Sequence, residues 1–312
     1  MYYKTYIICY NNIMPNICIV GFGSIGKQYY NVILEHFKDF RIYIISRRNI
    51  KIENAIVLNE LKQLPNNIDY VIISNPAPFH LESAFYFLDK NIPVLIEKPL
   101  SHDLNNIDKL LKYNNVIHVG YQLKFSQLFD KTMSLIQSIG NINLIKFNTG
   151  QYLPTWRKKN DYRNCVSAQK ELGGGVILEL SHEIDFILAI VNDYPSNVNL
   201  IKKKLSGLDI NVEDTALITL EFKDILAHLS IDMINIRHNR TLEIIGSKGT
   251  ILINFIENTI NIYYENNVHK LFTYEKENLL LNELNHFFYC VKNKIYTNDS
   301  LNNAINVLKI II

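Results

Sequence analysis

Gly21-Phe22-Gly23-Ser24-Ile25-Gly26 sets three glycines at the spacing of a turn that seats a pyrophosphate on a helix N-terminus. Gly21 permits the tight turn, Gly23 lets the backbone approach the phosphates, and Gly26 lets helix and strand pack closely. The helix opening at Ser24 and Ile25 faces the anion with unpaired N–H groups and its dipole. The plain alternative is a glycine turn with no ligand. Cofactor choice falls at the end of the second strand, where an acidic residue would bond the ribose 2′-OH of NAD. Ser46-Arg47-Arg48 stands there instead. A hydroxyl and two guanidinium forks suit a 2′-phosphate, so NADP(H) is favoured over NAD(H), with two solvated surface charges as the alternative.

Glu97-Lys98-Pro99 follows the run Pro93-Val94-Leu95-Ile96. It therefore lies at the carboxyl edge of a sheet, where open α/β folds bind ligands. A lysine beside a carboxylate and a cationic nicotinamide can donate a proton or hydrogen bond to a carbonyl oxygen as hydride moves. Taken alone, the tripeptide is more often a loop with a surface ion pair.

The elements that must position these groups are legible. β-Branched runs at residues 17–20, 41–45, 70–73, 94–96 and 116–119 alternate with helical spacing over 25–37 and 79–88, and residues 101–103 can cap a helix reaching about 113. This predicts βαβ units and a doubly wound parallel sheet, a Rossmann dinucleotide-binding domain over residues 1–123. After residue 125 the texture changes to a helix at 126–138, a strand near 142–148, a polar and aromatic stretch at 150–175, and a helix from about 176. From 215 to about 274 the sequence alternates with period two, which predicts a large, mainly antiparallel open sheet with one face on helices and one free for another subunit. Residues 277–312 read as two helices with a break near 297–300, the last a candidate to pack back on the Rossmann domain. Residues 124–312 thus form a substrate-binding and oligomerisation α+β domain. Residues 1–13, ahead of the dense run from Met14, read as an extension.

Composition narrows the class. A net charge of +2 with 20% charged residues lacks the basic excess of a nucleic-acid binder, and no apolar run approaches the roughly 20 residues of a membrane span. The four cysteines, Cys9, Cys18, Cys165 and Cys290, form no CxxC pair and no zinc spacing with histidine, so no metal is expected. They read as reduced thiols, and cytoplasm is the expected compartment.

The motifs GFGSIG, SNPAPFH, EKPL and GGGVILELSHEID, in this order, make the chain resemble the glucose-fructose oxidoreductase / inositol dehydrogenase / rhizopine-catabolism (Gfo/Idh/MocA) oxidoreductase family. The resemblance implies an NAD(P)-dependent dehydrogenase or reductase acting on a sugar, nucleotide-sugar or cyclitol-like substrate. It implies catalytic roles for Lys98 and His182, and a cofactor lining that includes Asn75, Pro76, His80 and Gln122, with Glu97 orienting Lys98 or touching the nicotinamide ribose. Many members carry an Asp four residues before this histidine; here the carboxylate is Glu179, three residues before it. At helical spacing Glu179, His182 and Asp185 would share a face, with Glu179 as proton-relay partner and Asp185 as substrate contact or as the group fixing the imidazole tautomer.

Tyr152, Trp156, Arg157 and Arg163 precede the GGG segment and mix aromatic faces with cations, which suits sugar hydroxyls or a phosphate on a nucleotide sugar. Tyr152, Trp156 and Arg163 are the candidate substrate residues, and packing or solvation is the alternative for each. This loop with SHEID resembles a subgroup associated with surface-polysaccharide or nonulosonate sugar biosynthesis. Ile245 to Thr250 reads as a hairpin turn rather than a phosphate loop. The leading expectation is reversible hydride transfer between nicotinamide and a carbinol or carbonyl carbon, Lys98 polarising the oxygen and His182 exchanging the proton. A redox-neutral NAD(P)-dependent glycosidase and a non-catalytic NADP-sensing protein stay open. A homodimer or homotetramer through the C-terminal sheet is the expected assembly.

Overall fold

Strand β1 (Asn16–Val20) is buried along its whole length and runs straight into the glycine turn, from which helix α1 (Ser24–His36) leaves. β2 (Arg41–Ile45), β3 (Ala55–Leu58), β4 (Tyr70–Ile73), helix α2 (His80–Leu88), β5 (Val94–Ile96) and β6 (Ile117–Val119) complete a six-stranded sheet in the order β3-β2-β1-β4-β5-β6. All its pairings are parallel. Unbroken burial in β1, β4 and β5 is what a parallel sheet covered on both faces requires. The computed structural model describes residues 14–156, 161–265 and 269–312. The described residues divide into two compact units, one mainly of residues 14–122 and 278–310, the other mainly of residues 123–277.

Two details of the first unit depart from expectation. Ala55–Leu58 adds an edge strand that its four-residue length kept from standing out. The helix expected up to residue 113 is a short 3-10 helix, Ile107–Lys112. Asp103 accepts from the backbone and side-chain amides of Asn105, at 3.0 and 2.8 Å, and Asn106 takes a left-handed φ of 64°. Local side-chain bonds of this kind compete with helix initiation.

The second unit comprises α3 (Gln127–Leu135), β7 (Ile142–Gly150), α4 (Leu153–Trp156), α5 (Val176–Glu179), α6 (His182–Val191), β8 (Asn197–Lys203), β9 (Thr215–Glu221), β10 (Leu226–Asp232), β11 (Asn239–Gly246), β12 (Gly249–Asn254), β13 (Thr259–Tyr264) and β14 (His269–Thr273). Its eight strands run in the order β14-β13-β12-β11-β7-β10-β9-β8, antiparallel except for β7 with β10. Burial alternates residue by residue in β9 and β10, so one face is covered. There Phe147 of β7 meets Phe186 of α6 at 6.2 Å between ring centroids. The other face mixes the Lys146–Glu243 pair, at 2.8 Å, with the exposed Leu217 and Leu271. β8 was not anticipated from the sequence, and the turn between Gly246 and Gly249 is a hairpin as expected.

Helices α7 (Leu279–Lys292) and α8 (Asn298–Ile311) close the chain, with the break at 293–297. α7 belongs to the first unit: Leu280, Leu284, Phe287 and Phe288 join the core of Ile17, Ile19, Tyr29 and Ile33, and Phe288 meets Tyr70 at 4.9 Å.

Candidate active site

In a parallel sheet every strand delivers its following residue to the same edge. Gly21 after β1, Ser46 after β2, Asn75 after β4, Glu97 after β5 and Gly120 after β6 therefore gather along the carboxyl edge of the first unit. The glycine turn is fitted closely. Gly21 has φ +92°, and a Cβ there would lie 2.5 Å from the Asn75 amide nitrogen; one on Gly26 would lie 2.4 Å from the Gly21 carbonyl oxygen. Gly23, in contrast, faces open space, with nothing within 4 Å of a Cβ position. The N-cap of α1 brings no capping side chain and its first turn no acidic residue. Ser24 and Ile25 thus open a helix end suited to an anion such as a pyrophosphate.

Ser46 is buried and accepts the Arg48 N–H at 3.2 Å. The Arg48 guanidinium donates to the carbonyl of Phe22 inside the glycine turn, and Arg47 lies 5.5 Å over the Phe79 ring. Both arginines are exposed, and both are tied to the phosphate turn or the segment facing it.

Asn75 donates to the Ser83 hydroxyl at 2.9 Å, and its Oδ1 is buried with no hydrogen-bond partner among the described residues. Pro76 caps the 3-10 turn Ala77–Phe79, which delivers His80. His80 spans the Asn75 carbonyl, at 2.7 Å, and the Pro99 carbonyl, at 2.9 Å. Burial pushes its pKa down to about 4, and the neutral imidazole, with one N–H, donates to one of these two carbonyls and packs its other nitrogen against the second. The Lys98–Pro99 peptide is cis.

Glu97 turns inward. It is 7% exposed, its Oε1 accepts the Tyr29 hydroxyl at 2.6 Å, and its Oε2 accepts the backbone N–H of Lys98 at 3.1 Å. Burial first, and the Glu283 charge second, push its pKa up to about 7, against the pull of Tyr29 and Lys98. Of the two roles open to Glu97, this geometry fits the orientation of Lys98, whose side chain is half-buried. A Cβ on Gly120 would lie 3.2 Å from Glu97 Oε1, so glycine there gives the carboxylate room. Gln122 starts the 3-10 turn after β6, at the same edge.

In the second unit the GGG segment has a steric cause. A Cβ on Gly174 would lie 2.2 Å from the Val166 carbonyl oxygen, and one on Gly175, at φ +115°, would lie 2.4 Å from the Glu213 carboxylate. His182 opens α6 at 8% exposure. The continuous helical face expected for Glu179, His182 and Asp185 is interrupted: α5 ends at Glu179, and the Ser181 hydroxyl bonds the Leu178 carbonyl at 3.0 Å across the break. Glu179 accepts the Ser167 hydroxyl at 2.8 Å, and Asp185 pairs with Lys124 at 2.9 Å. Arg163, expected as a cation for substrate, spends its fork on Asp161 at 2.6 to 2.9 Å. Trp156 donates to the Gln151 carbonyl at 2.9 Å, with Tyr152 partly exposed beside it in sequence. Arg157 lies outside the described residues. Among the described residues no three His, Cys, Asp or Glu side chains are placed to hold a metal ion.

Sequence reasoning missed Tyr29, Glu283 and His118 in the first unit and Lys124, Glu183 and Arg240 in the second. The only signal was ionisable residues set within apolar runs, as Glu283 is within α7.

An edge of this kind, a glycine turn and a buried carboxylate-backed lysine on a 3-2-1-4-5-6 parallel sheet, defines a dinucleotide-binding α/β protein. Residues 15–123 match the oxidoreductase family with an NAD-binding Rossmann fold, and residues 132–252 match the GFO/IDH/MocA C-terminal domain. The chain belongs to the Gfo/Idh/MocA oxidoreductase family. It is similar to trans-1,2-dihydrobenzene-1,2-diol dehydrogenase of Danio rerio, 25% identical over 62% of this chain and 57% of that one, so less than two thirds of that relative is spanned. It is 23% identical to myo-inositol 2-dehydrogenase of Thermotoga maritima over 78% of this chain and 76% of that one. A levoglucosan dehydrogenase solved with NADH shares the fold at TM-score 0.82 and 16% identity, covering 95% of each chain. UDP-N-acetylglucosamine 3-dehydrogenase from Acidithiobacillus ferrooxidans does so at TM-score 0.79 and 16% identity, over 94% of each.

Proposed function

We propose that this chain is an NADP(H)-preferring oxidoreductase that moves hydride between the nicotinamide and a carbinol or carbonyl carbon of a sugar, nucleotide-sugar or cyclitol-like substrate. The observation that carries the reading is Lys98: it stands at the same sheet edge as the glycine turn, with its backbone held by a buried carboxylate. The bound dinucleotide supplies or takes up the hydride. Lys98 polarises the substrate oxygen, and His182 exchanges its proton with solvent. Glu179, whose Oε1 accepts the Ser167 hydroxyl, serves as the proton-relay partner of His182. Tyr152 and Trp156 offer the aromatic and hydroxyl groups that suit a sugar face. The dehydrogenases of inositol, levoglucosan and UDP-N-acetylglucosamine among its relatives and fold neighbours support a polyhydroxylated substrate.

Preference for the 2′-phosphate rests on Ser46, Arg47 and Arg48. Titration of purified protein with NADPH and NADH, by nicotinamide fluorescence, tests it. NADPH is expected to bind about tenfold or more tighter, and Arg47→Ala with Arg48→Ala to remove most of that preference, the equivalent of about 1.4 kcal/mol or more. Equal affinities leave the dehydrogenase reading and remove the NADP assignment; failure of both nucleotides to bind removes the reading itself. With binding established, a screen of sugars and cyclitols should give turnover that Lys98→Met lowers by about 10²-fold or more.

A further inference from the structure

Behind Lys98 the first unit buries four ionisable side chains from four elements. Tyr29 of α1 and Glu283 of α7 are 0% exposed, His118 of β6 is 1%, and Glu97 after β5 is 7%. The Tyr29 hydroxyl stands 2.6 Å from Glu97 Oε1 and 3.1 Å from Glu283 Oε2, and Glu283 Oε1 stands 3.2 Å from His118 Nε2. A phenol has one proton to give. Donated to one carboxylate, it leaves the contact to the other as a hydrogen bond only if that other carboxylate carries a proton. Two carboxylates held around one hydroxyl in a dry interior cannot both ionise cheaply. Further ionisable neighbours include His286, whose ring lies 5.7 Å from His118, Cys290 at 3.4 Å from His286, Lys98 at the outer end, and neutral His80 behind Pro99.

We infer that Tyr29 and Glu283 are positioning residues for Lys98: the Tyr29 hydroxyl ties Glu97 and Glu283 into a buried pair that holds one proton between them, and the charge of that pair sets the electrostatic field at Lys98. The inference rests on the reading of Lys98 as the residue beside the reacting carbon. Its consequence is a switch at the cofactor. With Glu97 charged, its negative charge offsets part of the field of Lys98 at the nicotinamide. With Glu97 protonated that offset is lost, which disfavours the oxidised, cationic ring relative to the neutral reduced one. The position of Glu97 near 7, raised by burial and by Glu283, lies in the range where this would operate.

Infrared spectra of the full chain labelled with ¹³C-carboxyl glutamate, recorded from about pH 5.5 to 9, read the carboxyl protons directly. The wild type is expected to show a protonated glutamic acid that titrates near 7 and is absent in Glu97→Gln. Glu283→Gln removes the neighbouring charge and moves the midpoint down by about one pH unit; Tyr29→Phe removes the donor and moves it up by about as much. A residue with only a packing role has no reason to give opposite displacements. In parallel, the ratio of NADP⁺ to NADPH affinity should fall about threefold or more below the same midpoint, and follow it in both variants. No glutamic acid titrating in that range, or displacement of the midpoint in one common direction by both variants, overturns the inference. The wild-type spectrum decides alone if a variant does not fold. Failure of either nucleotide to bind at any pH sinks the oxidoreductase reading and leaves the carboxyl titration as a separate result.

Discussion

The two units bury their carboxylates in opposite ways. Below Lys98, Glu97 and Glu283 face each other across the Tyr29 hydroxyl. Around His182, each buried carboxylate has a cation of its own: Glu183, fully buried, lies 2.9 Å from Arg240 and accepts the Thr149 hydroxyl at 3.0 Å, and Asp185 lies 2.9 Å from Lys124. Two carboxylates around one neutral hydroxyl repel each other, with the His118 imidazole 3.2 Å from Glu283 beside them, whereas a carboxylate set against a guanidinium or ammonium is attracted in place. One arrangement suits a group that must respond to its surroundings; the other suits a scaffold that must hold the first turn of α6 still.

The hardest blow to that contrast is Arg240→Met. Removing the cation strands Glu183 in the core, and because the Arg240 side chain is 22% exposed the cost is expected at about 3 kcal/mol, the lower end for a buried pair. Chemical denaturation measures it, and adding Glu183→Leu should recover most of the loss. If Arg240→Met is no worse than an ordinary surface change, the pairing does not fix the unit and the contrast collapses.

A pH series sharpens the other side. Glu97 is held near 7 in the folded chain against 4.5 for an exposed glutamate, so the folded state keeps a proton that the unfolded chain has lost. Its contribution to stability therefore falls as pH rises from 4.5 to 7 and is level above. His80, pushed down from 6.5 to about 4 by burial, works in the opposite sense: stability is lost as pH falls from 6.5 through 4. The two offset each other in the wild type. In Glu97→Gln the offset is gone, and stability relative to wild type should rise by on the order of 2 kcal/mol between about pH 5 and pH 7.5. A difference that does not change with pH would place Glu97 among the permanently ionised groups.

What could be read from the chain follows from the range of the forces involved. The glycine turn, the 41–45, 70–73 and 94–96 strands and Lys98 are declared by local spacing, and the structure has them in those places. The four-residue β3 and the mostly exposed β8 carry too little pattern to stand out. The break between α5 and α6 depends on one serine bonding back to Leu178, which hydrophobic periodicity does not register. Tyr29, separated from Glu283 by 254 positions, meets it only because α7 returns to the first unit, and Lys124 is 61 positions from Asp185. Such partners are set by topology, and a single sequence holds no spacing that marks them.

The smallest expected effect falls on Arg163, where the contrast reaches its limit. Its pair with Asp161, at 2.6 Å, sits in water, with the two side chains 56% and 37% exposed. Side-chain entropy and screening cancel most of the attraction in such a pair. Arg163→Ala should therefore leave the denaturation midpoint where it is, unlike Arg240→Met. Function separates the two possibilities for this residue. If the guanidinium leaves Asp161 to bind an anionic group on a sugar, the variant raises KM for a nucleotide-sugar substrate by about tenfold and leaves KM for an uncharged sugar unchanged, because one charge-assisted contact is lost. If KM is unmoved for both, the Asp161–Arg163 pair is what its geometry suggests, a brace within its own loop.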